Sequence, residues 1–202
     1  MSGEHDDRLM TAVRQGDVSQ LGVLFERHHR ALFSFFVRLT GDRQASEDLV
    51  QEVFFRILKS RGTYQPGTQF RTWMFRIARS AHIDRFRTRP REVEVPDDLP
   101  EPASPAPLPA VAFERAEQAA LLRRALAMLP PEKREVLVLS RFQDLRYQEI
   151  GDILGCEEGA VKVRVFRAMR ALRTAYLALI GAPAHARSPA PSDPLARPQA
   201  RE

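Results

Sequence analysis

YQEIGDILGCEEGAVKVRVFRAMRALR, residues 147–173, decides how the chain is read. Tyr147, Ile150, Ile153 and Leu154 recur at steps of three and four residues, the period of one helix face. Gly155 then offers a helix-ending residue that tolerates positive φ. Beyond it Val161, Val165, Met169 and Leu172 form a second apolar stripe. Lys162, Arg164, Arg167, Arg170 and Arg173 project elsewhere, with Glu158 the only acid among them. The pattern predicts two short helices around a tight turn. The second buries one face and offers five cations to a major groove, where Lys and Arg meet phosphates and guanine edges. A solvated basic helix has the same pattern, so the rest of the chain must decide.

The 202 residues can hold one large domain or two small ones. The net charge of +5 is modest but unevenly spread. Residues 61–91 hold eight arginines against Asp84 alone, and residues 92–117 hold seven acids against Arg115 alone. Two basic blocks separated by an acidic one suggest two nucleic-acid surfaces. Cys156 is the only cysteine, so no internal disulfide forms and a reducing compartment is expected. The N-terminus, with Glu4, Asp6 and Asp7, is unlike a secretory signal. No apolar run approaches the ~20 residues that span a bilayer. The reading is a cytoplasmic, soluble chain with no membrane insertion.

In the N-terminal half, helical periodicity predicts helices over about 6–15, 18–39, 43–59 and 70–88. Gly41-Asp42 ends the second, and Gly62, Pro66 and Gly67 mark a loop before the fourth. His28 and His29 are neighbours on different sides of a helix and cannot chelate together. In the third helix Leu49, Val50, Val53, Phe54, Ile57 and Leu58 supply the buried stripe, while Asp48, Gln51 and Glu52 share the opposite face. The fourth, FRTWMFRIARSAHIDRFRT, interleaves aromatics with arginines. Trp73 and Ile77, four apart, are its best core candidates. Cations for a backbone and a loop ahead to accept an unstacked base also suit single-stranded DNA.

Seven prolines between Pro90 and Pro109, with five acids among them, mark an extended linker and the domain boundary. Further helices are predicted over about 111–128 and 132–142, the latter opened by Pro130-Pro131. The Pro/Ala-rich tail beyond Ile180 is expected to be disordered. The fold class is therefore all-α. It divides into residues 1–89, a linker over 90–110, a helix-turn-helix domain over 111–180 and a tail over 181–202.

Four stretches in this order resemble the extracytoplasmic-function (ECF) class of bacterial sigma factors, over about residues 8–90 and 112–178. They are Glu47-Asp48-Leu49-Val50-Gln51-Glu52-Val53-Phe54, the run from Phe70 to Arg79, Leu129-Pro130-Pro131-Glu132-Lys133-Arg134-Glu135-Val136, and Tyr147 to Gly151 with Gly159 to Lys162. The resemblance implies two small helical domains, sigma domains 2 and 4. It implies that Asp48, Gln51 and Glu52 dock on the clamp helices of core RNA polymerase, whose flap is a further partner. Arg71, Arg76, Arg79, Ser80 and Arg85 would hold the −10 promoter element, with the loop Thr63 to Gln69 as the pocket for a flipped base. Lys162, Val163, Arg164, Phe166 and Arg167 would meet the −35 element, and the linker would thread toward the RNA exit path. An anti-sigma factor is an expected partner besides promoter DNA. No cofactor, metal or catalytic residue is implied.

The sequence departs from the family where Gly-Thr-Val-Lys-Ser-Arg is common. Here Gly159-Ala160-Val161-Lys162-Val163-Arg164 lacks both hydroxyls, so the −35 letters do not carry over. The chain has no HExxH, no phosphate-cradling glycine loop and no paired catalytic carboxylates, which argues against an enzyme. The alternative is a stand-alone helix-turn-helix regulator of duplex DNA, which needs neither the Asp48 face nor the arginine–aromatic helix.

Overall fold

The computed structural model describes residues 2–88 and 109–181. Their order is α1 (Ser2–Gln15), α2 (Gln20–Thr40), α3 (Arg43–Ser60), a 3-10 turn (Arg61–Thr63), α4 (Phe70–Thr88), α5 (Pro109–Ala127), α6 (Pro131–Arg141), α7 (Tyr147–Leu154) and α8 (Glu158–Gly181). Among the described residues there is no strand. The first helix begins four residues earlier than the periodicity predicts. The expected linker, up to Leu108, and the tail beyond Gly181 lie outside the described residues.

Punctuation residues set the joints. Gly41, at φ 71°, ends α2 in the left-handed region and its amide donates to the Val37 carbonyl at 2.9 Å. The next residue, Asp42, caps α3: its carboxylate accepts from the Ala45 amide at 2.9 Å. Helices α1 to α4 enclose Leu24, Leu32, Phe35, Phe36, Val53, Ile57, Met74 and Phe75, all fully buried. On α4 the inward residues are Phe70, Met74, Phe75, Ala78 and Ala81. Trp73 and Ile77 are only partly buried against that core, which corrects the expectation. Ala78 and Ala81 explain the choice of face, because small side chains let α4 sit close while the bulky indole stands edge-on to Tyr64 at the rim.

Helix α1 fastens this bundle with two acids. Asp6 is 2% exposed and accepts from Arg27 Nη1 at 2.8 Å, with His28 Nε2 at 2.9 Å. Burial holds the His28 pKa below its ordinary value against the opposing pull of Asp6. His29 turns away to the Phe25 carbonyl, as adjacent positions on a helix require. Asp7 accepts from the Phe70 amide at 2.7 Å, so a residue 63 positions away satisfies the open N-terminus of α4. The buried Tyr64 hydroxyl lies 2.6 Å from the Thr68 carbonyl and 3.2 Å from Asp7, which ties the loop before α4 to α1.

Helices α5 to α8 enclose Leu126, Leu129, Leu137, Ile150, Ile153, Val161, Val165 and Ala168, in a core continuous with the first. Arg134 is 4% exposed at the junction. Its Nε donates to the Leu126 carbonyl at 3.0 Å and Nη2 to the Leu129 carbonyl at 3.1 Å and to that of Ala127. Nη1 crosses to the Leu39 carbonyl of α2 at 2.9 Å. One guanidinium thus finishes α5 and joins it to the other bundle.

Candidate nucleic-acid interface

The turn between α7 and α8 depends on two glycines. Gly155 is left-handed at φ 71°, and a Cβ on Gly151 would stand 2.5 Å from the Cys156 carbonyl oxygen. That oxygen belongs to backbone and cannot swing aside. Gly151→Ala should therefore destabilise the chain by about 1–3 kcal/mol in urea unfolding, the usual penalty of overpacking. An unchanged midpoint would show that the turn yields. The start of α7 is fixed by Glu149, which accepts from the Arg146 amide at 2.6 Å.

Along α8 the buried residues are Val161, Val165 and Ala168, while Leu172 is half-buried and Met169 is 40% exposed. Ala168 therefore takes the place expected of Met169. The stripe of a long helix drifts around its axis, and here it packs in steps of four and three from Val161. The consequence for the outer face is small. Lys162, Val163, Arg164, Phe166 and Arg167 are all exposed, Phe166 by 62%. Lys162 is paired with Glu158 one turn earlier at 2.7 Å, and that bond raises its pKa.

The α4 residues divide into three groups. Arg76 and Ser80 are exposed on one face. Arg71 and Arg79 lie toward the second bundle: Arg71 Nη2 donates to the Gln143 carbonyl at 2.6 Å, and Arg79 Nε meets Glu135 at 3.1 Å. Arg85 pairs with Asp48 of α3 at 3.2 Å. The loop ahead of α4 brings no free ring of its own, because Tyr64 is buried. Trp73, beside it, is the partly exposed ring nearest that loop.

On α3, Asp48 and Gln51 are exposed and Glu52 is half-buried, holding Arg56 at 2.6 Å. Arg56 in turn pairs with Asp84 of α4 at 2.7 Å. Sequence reasoning missed Phe55, which is 61% exposed while its neighbour Phe54 is 7% exposed. The signal was present in the spacing: Phe55 stands three residues after Glu52 and four after Gln51, on their face.

Two family models match the chain, Sigma-70 region 2 over residues 24–92 and Sigma-70, region 4 over residues 119–172. The ECF RNA polymerase sigma factor SigE of Mycolicibacterium smegmatis is 37% identical over 77% of this chain, which spans 60% of that relative's length. The RNA polymerase sigma factor CarQ of Myxococcus xanthus is 34% identical over 81% of this chain and 93% of its own length. Among solved structures, CnrH in complex with the cytosolic domain of CnrY superposes with a TM-score of 0.63 at 26% identity. That likeness covers 91% of this chain and 99% of the other.

Proposed function

The chain belongs to the extracytoplasmic-function class of RNA polymerase sigma factors, and from that premise we propose how its surfaces divide the work. Residues 1–89 form the unit that binds core polymerase and the −10 element, and residues 111–180 the unit that binds the −35 element. The exposed strip of Asp48, Gln51 and Phe55, with Glu52 at its edge, is the polymerase contact. An aromatic ring amid acceptors gives such a strip both area and direction. Helix α4, through Arg71, Arg76, Arg79, Ser80 and Arg85, follows the backbone of the melted −10 strand. Thr63 to Gln69 receive an unstacked base, whose extrusion costs a few kcal/mol that phosphate contacts offset.

The observation that supports the −35 reading best is that all five α8 residues named from sequence share the solvent face of one well-packed helix. A guanidinium or ammonium on such a face reaches guanine edges or phosphates, and Val163 can meet a thymine methyl. Arg167→Ala should cost about 1–3 kcal/mol of discrimination between promoter and scrambled duplex in competitive gel shifts. A loss equal on both duplexes would make Arg167 a phosphate contact and reject base reading. The work is recognition and melting rather than covalent catalysis, carried out where the bacterial polymerase is, in the cytoplasm. No described helix is long and apolar enough to cross a membrane.

An anti-sigma partner is part of the same reading, supported by the complex of CnrH with the cytosolic domain of CnrY. The apolar groove between α5 and α8, lined by Ala119, Leu122, Met169, Leu172 and Tyr176, is the surface we assign to it. Hydrogen exchange with a bound partner should slow at those residues. Protection confined to other surfaces would reject the assignment.

A further inference from the structure

We propose that Asp7 of α1 is a positioning residue for base recognition. Through Tyr64 and the Phe70 amide it sets the place from which the loop Thr63 to Gln69 meets an unstacked −10 base. The inference rests on the reading of that loop given above. The tip of the loop has a shape of its own. The Thr68 amide donates to the Gln65 carbonyl at 3.0 Å and Gly67 stands at φ 89°, with Pro66 ahead of it, the arrangement of a type II turn. Proline and glycine pre-set such a turn, so what remains to be fixed is where it stands relative to α4. The contacts that fix it converge on one carboxylate oxygen. Asp7 Oδ1 accepts from the amide of Phe70, the first residue of α4, at 2.7 Å, and the Tyr64 hydroxyl stands 3.2 Å from the same oxygen. That hydroxyl donates to the Thr68 carbonyl at 2.6 Å, across the turn. Burial first, and the Asp7 carboxylate with it, holds the Tyr64 pKa above its ordinary value, so the phenol stays a donor.

The arrangement does more than finish a helix. A helix start is ordinarily capped by the side chain just before it, from Ser, Thr, Asp or Asn. Here that residue is Gln69, and a carboxylate 63 positions earlier in the chain serves the Phe70 amide instead. Gln65 and Gln69 are exposed, one on each side of the turn. Each carries an amide that can both donate to and accept from the Watson–Crick edge of an unstacked base. Asp7 is itself held in place. Its neighbour Asp6 is buried against Arg27 and His28, and the centres of the His28 and Phe70 rings lie 5.2 Å apart. A reading group displaced by about 1 Å loses its grip, so the residues that support it count as much as the group itself. Asp7 lies outside the residues matched to Sigma-70 region 2, which begin at 24.

The test uses the full chain with core polymerase on a genomic promoter fragment whose −10 element is randomised, each template barcoded in its transcribed part. Sequenced transcripts report the base preference at every −10 position, and circular dichroism in urea reports stability. Asp7→Ala should flatten the preference at one position by about three- to tenfold and leave the other positions as in the parent chain. Tyr64→Phe, which loses one oxygen and keeps its ring beside Trp73, should flatten the same position, and it serves where Asp7→Ala folds poorly. A smaller folded fraction lowers every template alike and cannot produce that pattern. Parental preferences at every position in both variants, or output that falls equally on all templates, would overturn the proposal. The loop variant Gln65→Ala/Gly67→Val/Gln69→Ala separates it from the reading beneath it. If that variant flattens one position while Asp7→Ala and Tyr64→Phe do not, positioning is wrong and the loop reading stands. If it flattens none, the loop reading fails and positioning with it.

Discussion

Arg134→Met should remove about 3–5 kcal/mol of stability, read as a lowered urea midpoint by circular dichroism. The size follows from what the guanidinium holds. Its partners are the carbonyls of Leu126 and Ala127 at the end of α5 and of Leu129 just beyond it. Of these the Leu126 carbonyl also accepts from the Leu129 amide at 3.2 Å, while helix-end carbonyls otherwise lack a partner further along the helix. Each buried acceptor left open costs about 1–3 kcal/mol, and water reaching the rim recovers part of the sum. Against a domain stability of about 5–15 kcal/mol, this is a large share. Arg134→Lys should recover only a fraction, because an ammonium lacks the planar fork that reaches four carbonyls from one side. A loss below about 1 kcal/mol for Arg134→Met would mean that those carbonyls are satisfied without it.

The second large effect concerns binding. Asp48→Ala with Gln51→Ala should weaken association with core polymerase by about 2–4 kcal/mol, a loss of about 30- to 1,000-fold in fluorescence anisotropy titrations. Phe55→Ala alone should approach the lower figure. Stability should hardly change in either variant. The Asp48–Arg85 pair is solvent-exposed at 3.2 Å, and such pairs contribute about 0–1 kcal/mol. Unchanged affinity would remove α3 from the polymerase contact. A fall in affinity that merely tracks a fall in the urea midpoint would assign these residues to the fold instead.

Local chemistry made much of this legible in advance. Gly41, Gly155 and the Pro130-Pro131 step end or open helices for reasons contained in one or two residues, so the element boundaries follow closely. The outer face of α8 was equally readable, because one face of a basic helix must pack and the cations take the other. What sequence concealed depends on partners far along the chain. Arg134 reads there only as part of a family motif, since its partner Leu39 lies 95 positions away. Asp7 reads as a polar terminus until Phe70 is found above it. Trp73 loses its expected core place to Ala78 and Ala81, because how closely two helices approach is not written in periodicity. That Arg71 and Arg79 already have partners follows from the packing of the bundles, which no local pattern contains.

The two arginine-bearing surfaces matter only if one polymerase brings both to a promoter together. Run-off transcription with purified core polymerase and genomic promoter fragments tests this most directly. The account predicts discrete new RNA 5′ ends when the chain is added, absent with core enzyme alone and lost with Asp48→Ala/Gln51→Ala. Transcripts with the same starts whether or not the chain is present would contradict it.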